Sequence, residues 1–509
     1  MMAHEMNREK NCISTSSEWT FETIERYDRE IARIAHEKFR LDTYPNQIEV
    51  IRSDQMMDAY ASVGMPVFYN HWSYGKHFVN VEQNYSRGRM GLAYEIVINS
   101  NPCIAYLMEE NTLTMQALVI AHACYGHNSF FKGNYLFRSW TDADGIIDYL
   151  VFAKHFITQC EERHGVAEVE RLLDSCHALM NYGVDRYKRP RPISAAAEKQ
   201  RQQEREEYVQ RHLNDLWRTL PRLKEKLDQE REIPTFPAEP QENLLYFFEK
   251  NAPHLDSWQR EIIRIVRKIA QYFYPQRQTQ VMNEGWATFW HYTILNEMYD
   301  EGLVNEGFMM EFLTSHTNVV MQPGFDSPYY SGINPYALGF AMMQDIRRIC
   351  EHPTAEDREW FPEIAGSDWI GTLDNVMRNY RDESFILQFM SPKIMRDFHF
   401  FALEDDDRRN AIDVVAIHNE RGYRELRERL SQQYNLSSNE PDIQVENVNV
   451  RGDRSLTLHH NMHNRRPLGN DTYEMLRHAH QLWGYDVHLH SVEPDGRRVR
   501  SYHLQGEAT

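Results

Sequence analysis

Two short stretches carry the residue types from which a catalytic centre is made. "AHACYGHN", residues 121–128, sets His122 and His127 five positions apart, and "MNEGWATFWH", residues 282–291, sets Glu284 and His291 seven apart. Both stretches are otherwise apolar and read as helical, so each polar group would cost several kcal/mol if buried without a partner. In an α-helix a spacing of seven keeps two side chains on one face but ~10.5 Å apart, so one ion cannot easily take both Glu284 and His291. Between them Ala287 and Thr288 are small, which lets another element approach that face. A spacing of five is awkward on a regular α-helix, roughly 140° around the axis, but Gly126 permits the helix to end or bulge so that both rings converge. Two imidazoles at one helix terminus plus a carboxylate from a second helix leave room for water, the donor pattern of a catalytic zinc. The expected ligands are therefore His122, His127 and Glu284. The competing reading makes the histidines hydrogen-bonded core residues and Glu284 a carboxylate capping a helix start.

The elements that must position these groups follow from periodicity and punctuation. "SEWTFETIERYDREIARIAHEKF" is an amphipathic helix behind Ser16 or Ser17. "GLAYEIVINSNPCIAYLMEEN" reads as two short strands about an Asn-Ser-Asn-Pro turn, and "TLTMQALVIAHACYGHNSFF" as the helix that follows, opened by Thr112 or Thr114. The order is hairpin, helix, histidines. Further helical patterns run to Gly165 and Gly183, after which residues 188–240 turn to Arg, Lys, Glu and Gln flanked by prolines, the composition of a solvated helix or linker. Strong helical patterns resume in "DSWQREIIRIVRKIAQYFYPQ", in the Glu284 stretch and in "EGFMMEFLTSHTNVV". A Gly, Pro and Tyr-rich loop, "QPGFDSPYYSGINPYALGF", then feeds another helix. From about Pro441 the period falls to two. A hairpin about Arg-Gly-Asp, a helix "TYEMLRHAHQLWG" and a strand pair turning at Pro-Asp-Gly make a small α+β module. The expected division is 1–187, 188–240, 241–435 and 436–509.

The pairing of a two-histidine helix with a later Asn-Glu helix is similar to the zincin metallopeptidases, and the hairpin before His122 would match the edge strand over a zincin cleft. The expected fold is accordingly mainly α with a small β-hairpin or edge sheet in a zincin-like core, plus the C-terminal α+β module. One position departs from the zincin pattern: the residue after the first histidine, where HExxH carries the water-activating Glu, is Ala123. Glu109, Glu110, Asp174, Asp185 and His291 are candidates to replace it. His291 is favoured as acid/base or as a partner of a ligand, Glu110 lies close in sequence to the histidine helix, and Tyr330 and Tyr336 carry hydroxyls able to polarise a carbonyl. Arg264 and Arg267 could meet a substrate carboxylate, although salt-bridged surface arginines are the more frequent case. His71, His177 and His316 are weaker candidates.

Bulk properties restrict the partners. The chain has 509 residues, more than one core usually organises, and a formal net charge of −19, which repels phosphate backbones and anionic lipid surfaces. Neither nucleic acid nor membrane is an expected partner, and no apolar run approaches the ~20 residues of a membrane span. Six cysteines without a CxxC pair, and an N-terminal stretch without the apolar segment of a secretory signal, point to a cytoplasmic protein. No Walker loop, GxGxxG or GxSxG elbow is present, so nucleotide and serine-hydrolase chemistry lack their motifs.

A longer set of motifs resembles one family. "LDTYPNQIEVI", "VGMPVFYNHWSYGKHF", "YEIVINSNPCIAYLMEEN", "AHACYGHNSFFKGN", "LLDSCHALMNYGVDRYKR", "YFYPQRQTQVMNEGWATFWH" and "YYSGINPYALGF" resemble, in order, the stage V sporulation protein R (SpoVR) family, as does the "NVRGDRSLTL" hairpin. The resemblance runs from about Trp19 to the C-terminus. It implies a bacterial, cytoplasmic protein with a role in spore cortex formation or stationary-phase stress, and it implies no particular reaction. The expectation is a zinc-dependent hydrolase acting on amide bonds of a peptide-like or cell-wall-precursor substrate, with protein partners at the C-terminal module. The alternative is a degenerate hydrolase fold that binds without catalysis or serves as a scaffold.

Overall fold

Several helix starts are set by a side chain that accepts from the free N–H groups of the first turn. In the computed structural model, which describes residues 12–61, 68–73, 76, 95–187, 236–324, 327–400, 403–405, 412–414, 420–463 and 466–505, Thr20 caps α1 (Phe21–Arg33) through a reciprocal box with Thr23. Strands β1 (Asn46–Ile51), β2 (Glu95–Ile98) and β3 (Cys103–Met108) follow. Thr112, one of the two expected caps, accepts from Met115 N–H and starts α2 (Leu113–Val119). The helix then widens into a π-helical segment (Ile120–His127) and continues as α3 (Asn128–Gly133). Next come α4 (Ile146–His164), closed by Gly165 at φ 90°, and α5 (Val166–Ala178). Helices α6 (Leu244–Asn251), α7 (Ser257–Gln278), α8 (Gln280–Asp300) and α9 (Glu306–Val319) lead to α10 (Pro335–Glu351), where Asn334 caps and Pro335 supplies a preset first φ. Then come α11 (Trp369–Asn379), α12 (Asp382–Phe389), the short pair β4 (Leu403–Asp405) and β5 (Ile412–Val414), and α13 (Glu420–Gln433). The chain finishes with β6 (Asp442–Val448), β7 (Leu456–Asn461), α14 (Thr472–Trp483), β8 (Val487–Val492) and β9 (Arg498–Leu504).

These elements make a mainly helical α+β chain with small mixed sheets, in two compact units: residues 1–170 with 271–439, and residues 171–270 with 440–509. The halves expected as 1–187 and 241–435 thus contribute to one unit, and the C-terminal stretch clusters with 171–270 rather than standing apart. Most of the expected linker, 188–235, lies outside the described residues. No described helix is long and apolar enough to cross a membrane, and none of the six cysteines is in a disulfide.

In the first unit the sheet order is β1-β3-β2: β3 pairs parallel with β1 and antiparallel with β2, which leaves β2 at an edge. Helix α8 is buried nearly all round, with Trp286, Phe289, Trp290, Ile294, Leu295 and Met298 in the core, and it packs against both the π segment and α10. Its approach to each is closer than side chains allow. A Cβ on Gly126 would lie 2.5 Å from Ala287 Cα, and one on Gly285 would lie 2.4 Å from Gly339 Cα. Thr279 offers α8 no side-chain cap. Asp382, at the start of α12, does so instead, its carboxylate accepting from Val281 N–H (2.9 Å) and Met282 N–H (2.8 Å).

In the second unit the sheet order is β6-β7-β8-β9, with β7 and β8 parallel and the flanking pairs antiparallel. The expected turn at Arg-Gly-Asp joins β6 to β7, α14 crosses between the parallel strands, and Gly496 at φ 83° turns β8 into β9. The Gly285→Ala variant is expected to lose about 2–3 kcal/mol in chemical denaturation, because its methyl must push α10 backbone away from α8. Gly307→Ala, exposed in the first turn of α9 with only Asn305 Oδ1 nearby at 3.4 Å, should be neutral or slightly stabilising.

Candidate metal centre

A π-helix closes each hydrogen bond over five residues, so positions five apart fall on one face, which an α-helix would not allow. The eight residues Ile120–His127 take that form, and the rings of His122 and His127 stand 4.6 Å apart, edge to face. Of the two outcomes that Gly126 permitted, an end or a bulge, the helix takes the second, since it continues beyond His127. Convergence comes from the wider turn, and the missing side chain serves the contact with Ala287 on α8.

Each imidazole is oriented from behind. His127 Nδ1 lies 3.0 Å from Asn283 Oδ1, which can only accept, so Nδ1 carries the proton and Nε2 presents a lone pair. His122 Nδ1 lies 2.9 Å from His291 Nδ1, and His291 Nε2 lies 2.9 Å from His316 Nδ1. With His122 donating, the chain closes consistently: His291 accepts at Nδ1 and donates from Nε2 to His316. All of these side chains are buried, with His316 resting on the rings of Tyr292 and Phe340.

Both Nε2 atoms face two carboxylates. Glu284 Oε2 lies 3.8 Å from His122 Nε2 and 3.5 Å from His127 Nε2, and Glu95 Oε1, from the edge strand β2, lies 3.3 Å and 4.0 Å from the same atoms. Ligand atoms of Glu95, His122 and His127 all fall within 4.8 Å of one another. Ligands at zinc bond lengths of ~2.0–2.2 Å stand about 3.3–3.6 Å apart at tetrahedral corners, so the imidazole–carboxylate spacings of 3.3, 3.5, 3.8 and 4.0 Å fit a divalent ion with small adjustments. Glu95 Oε2 and Glu284 Oε2 are buried without a hydrogen-bond partner among the described residues, a costly arrangement that a cation would relieve.

The electrostatics have the same sense. Burial pushes Glu95 up to about 7, opposed by His122 and reinforced by Glu284. Burial also pushes Glu284 upward, but His127, His122 and the hydrogen-bonded Tyr336 hydroxyl outweigh it and hold that carboxylate below its ordinary range. Burial lowers His122 as well, yet Glu95 and Glu284 raise it overall. His127 and His316 are pulled down to about 4, chiefly by burial, and His291 falls well below its ordinary value for that reason and because three other imidazoles surround it.

Among the residues singled out from sequence, His122, His127 and Glu284 come together as expected. His291 touches His122 from behind rather than facing the carboxylates. Glu110 is exposed and accepts from Ser53 N–H, so it does not replace the Glu missing at Ala123, and the exposed Glu109 contributes its backbone oxygen to Trp19. Tyr330 is 42% exposed in a turn closed onto Ser327, and it makes no contact with the cluster among the described residues. The tyrosine at the cluster is Tyr336, whose ring also lies 6.3 Å from that of His122. His71 bonds Ser73, while Asp174, His177 and Asp185 belong to the second unit. So do Arg264 and Arg267, which pair with buried Glu249. The residue that sequence reasoning missed is Glu95. Its signal was an acid at the head of the apolar run "EIVI", where a strand's side chains otherwise pack.

The first unit is thus mainly helical and brings two histidines and two acids together. The chain belongs to the SpoVR-like family: the family described as SpoVR like protein matches residues 18–439, and the SpoVR-like C-terminal domain matches residues 441–494. Over 491 residues, 96% of each chain, it is 67% identical to the "Uncharacterized protein YcgB" of Escherichia coli (strain K12). No solved structure matches it.

Glu95 gives a pH prediction with a definite sign. Its folded pKa is raised from 4.5 to about 7, so ionisation penalises the folded state above pH 7 and the penalty vanishes below pH 4.5. In chelator-treated protein, Glu95→Gln should stabilise by about 1–3 kcal/mol at pH 8 and leave stability at pH 4.5 unchanged, read from denaturant midpoints at the two pH values.

Proposed function

We propose that the chain is a zinc-dependent hydrolase of the peptidase or amidase type, with a zincin-like core in which His122, His127 and Glu284 hold the ion and Glu95 activates water. The observation that supports this reading is the convergence of two oriented Nε2 lone pairs on two half-buried carboxylates, each with a buried oxygen that has no hydrogen-bond partner among the described residues. A bound zinc ion would supply Lewis acidity and bring the pKa of water toward ~7.

The remaining work falls to the chain. Asn283 and the His291–His316 pair keep the two imidazoles in the tautomer that presents Nε2. Tyr336 orients Glu284 through its hydroxyl. Glu95 comes from a different element than the Glu of an HExxH helix but offers the same service, a carboxylate at the cluster that takes a proton from water and passes it to the leaving amine. A peptide or cell-wall precursor is the proposed substrate class, in spore cortex formation or stationary-phase stress, in a cytoplasmic setting. Ala123 favours a second reading, in which the pocket binds without hydrolysis.

Elemental analysis of protein purified without an affinity tag should find zinc at the cluster. His122→Asn and Glu284→Gln should each weaken binding there by tenfold or more. Glu95→Gln should retain the ion while losing at least a hundredfold in amide-bond hydrolysis, screened with peptide and cell-wall-precursor libraries. Retention of zinc with no hydrolysis by the native chain would favour the binding reading, and zinc binding insensitive to His122→Asn would remove both.

A further inference from the structure

The four-stranded sheet of the second unit has two unlike faces. Leu456, Leu458, Val487, Leu489 and Tyr502 are buried on the side where α14 packs. The period of two puts His459, His488, His490 and His503 together on the opposite side. Register then pairs them: His488 stands directly across from His503 on antiparallel β8 and β9, and His459 across from His490 on parallel β7 and β8.

The two pairs differ. The rings of His488 and His503 are stacked 4.3 Å apart and nearly parallel, at 6°. Asp486, two residues before His488 and so on the same face, has Oδ2 3.6 Å from His503 Nε2, and the three ligand atoms lie within 4.8 Å of one another. Asp453 adds a second carboxylate whose charge reaches His488. The His459 and His490 rings are 6.0 Å apart, and although Glu446 lies 3.5 Å from His459 Nδ1, the guanidinium of Arg498 bears on both rings. A cation is therefore favoured at the first pair and opposed at the second.

We propose that Asp486, His488 and His503 form a surface site for a late first-row divalent metal ion, Zn²⁺, Ni²⁺ or Cu²⁺, separate from the cluster of the first unit. Two imidazoles and one carboxylate suit these ions and discriminate against Mg²⁺ and Ca²⁺, which require oxygen cages. Strand pairing fixes the spacing of the two histidine backbones, the stacked rings turn about their side-chain torsions to aim both lone pairs at one ion, and the side chains of His503 and Asp486 are 40% and 36% exposed, so an ion reaches them directly.

Zinc titration of the full chain, by equilibrium dialysis with elemental analysis, tests this. The native chain should show a class of bound zinc that His488→Asn/His503→Gln removes or weakens at least tenfold, and that Glu284→Gln and His459→Asn leave intact. A thousandfold excess of Mg²⁺ should not compete. Asp486→Asn, a one-atom change, should weaken the same class several-fold and serves should the double variant misfold. Unchanged zinc binding in both the His488→Asn/His503→Gln and the Asp486→Asn chains, or loss of that class in His459→Asn instead, would overturn the proposal.

Discussion

The candidate centre depends on a helix wound one residue per turn too wide. Had Ile120–His127 continued the α-helix of Leu113–Val119, His122 and His127 would point roughly 140° apart and could not share a ligand. The π winding turns a spacing of five into a shared face, and such segments are rare enough in helices that their presence at a buried polar cluster is informative. Its wider turn is supported from outside. Gly126 receives Ala287 at backbone distance, while α8 is held on its other side by Gly285 against Gly339 and at its start by the Asp382 carboxylate. Packing that tight leaves the imidazoles little freedom to part.

Around that framework the first unit buries an unusual amount of polarity. Glu95, His122, His127, Glu284, His291 and His316 lie within one connected set, where burial alone would drive every group toward neutrality. His127, His291 and His316 comply, whereas His122 is raised overall by the two carboxylates, and the hydrogen bonds of the imidazoles run outward from the cluster to Asn283 and to His316. The carboxylates comply less: Glu284 stays ionised against its burial, and Glu95, beside it, is driven toward the protonated form. Opposed demands on two adjacent acids are characteristic of sites that exchange protons or hold cations.

Family and structure agree on where the chain divides near its end. The long family match stops at residue 439 and the C-terminal match begins at 441, and the first compact unit also ends at Asn439. The second unit assembles the C-terminal strands with residues 171–270 rather than leaving them as an appended module, through contacts such as the bridge between Gln241 and Val445. Histidine is used differently there, on a solvent-facing strand surface where cross-strand register, rather than helix winding, sets the spacing.

Much of this was readable without coordinates. The cap at Thr112, the helix through "NEGWATFWH", the hairpin of "EIVINSNPCIAYLM" and the C-terminal hairpin, helix and strand pair are local events decided by capping, periodicity and turn residues, and each formed where its signals stood. The meeting of His122, His127 and Glu284 was also legible, because polar groups in apolar helices must find partners. What no local rule contains is the choice between α and π winding in a segment that packs at backbone distance on α8. Nor does it contain the identity of the fourth group: Glu95 reaches the cluster because β2 pairs antiparallel with β3 at a sheet edge, a long-range event, whereas Glu110 and Tyr330, as suitable in type, end up exposed. Residue types and short spacings are written in the chain, but convergence across some 190 residues from Glu95 to Glu284 exists only once helices and strands have packed.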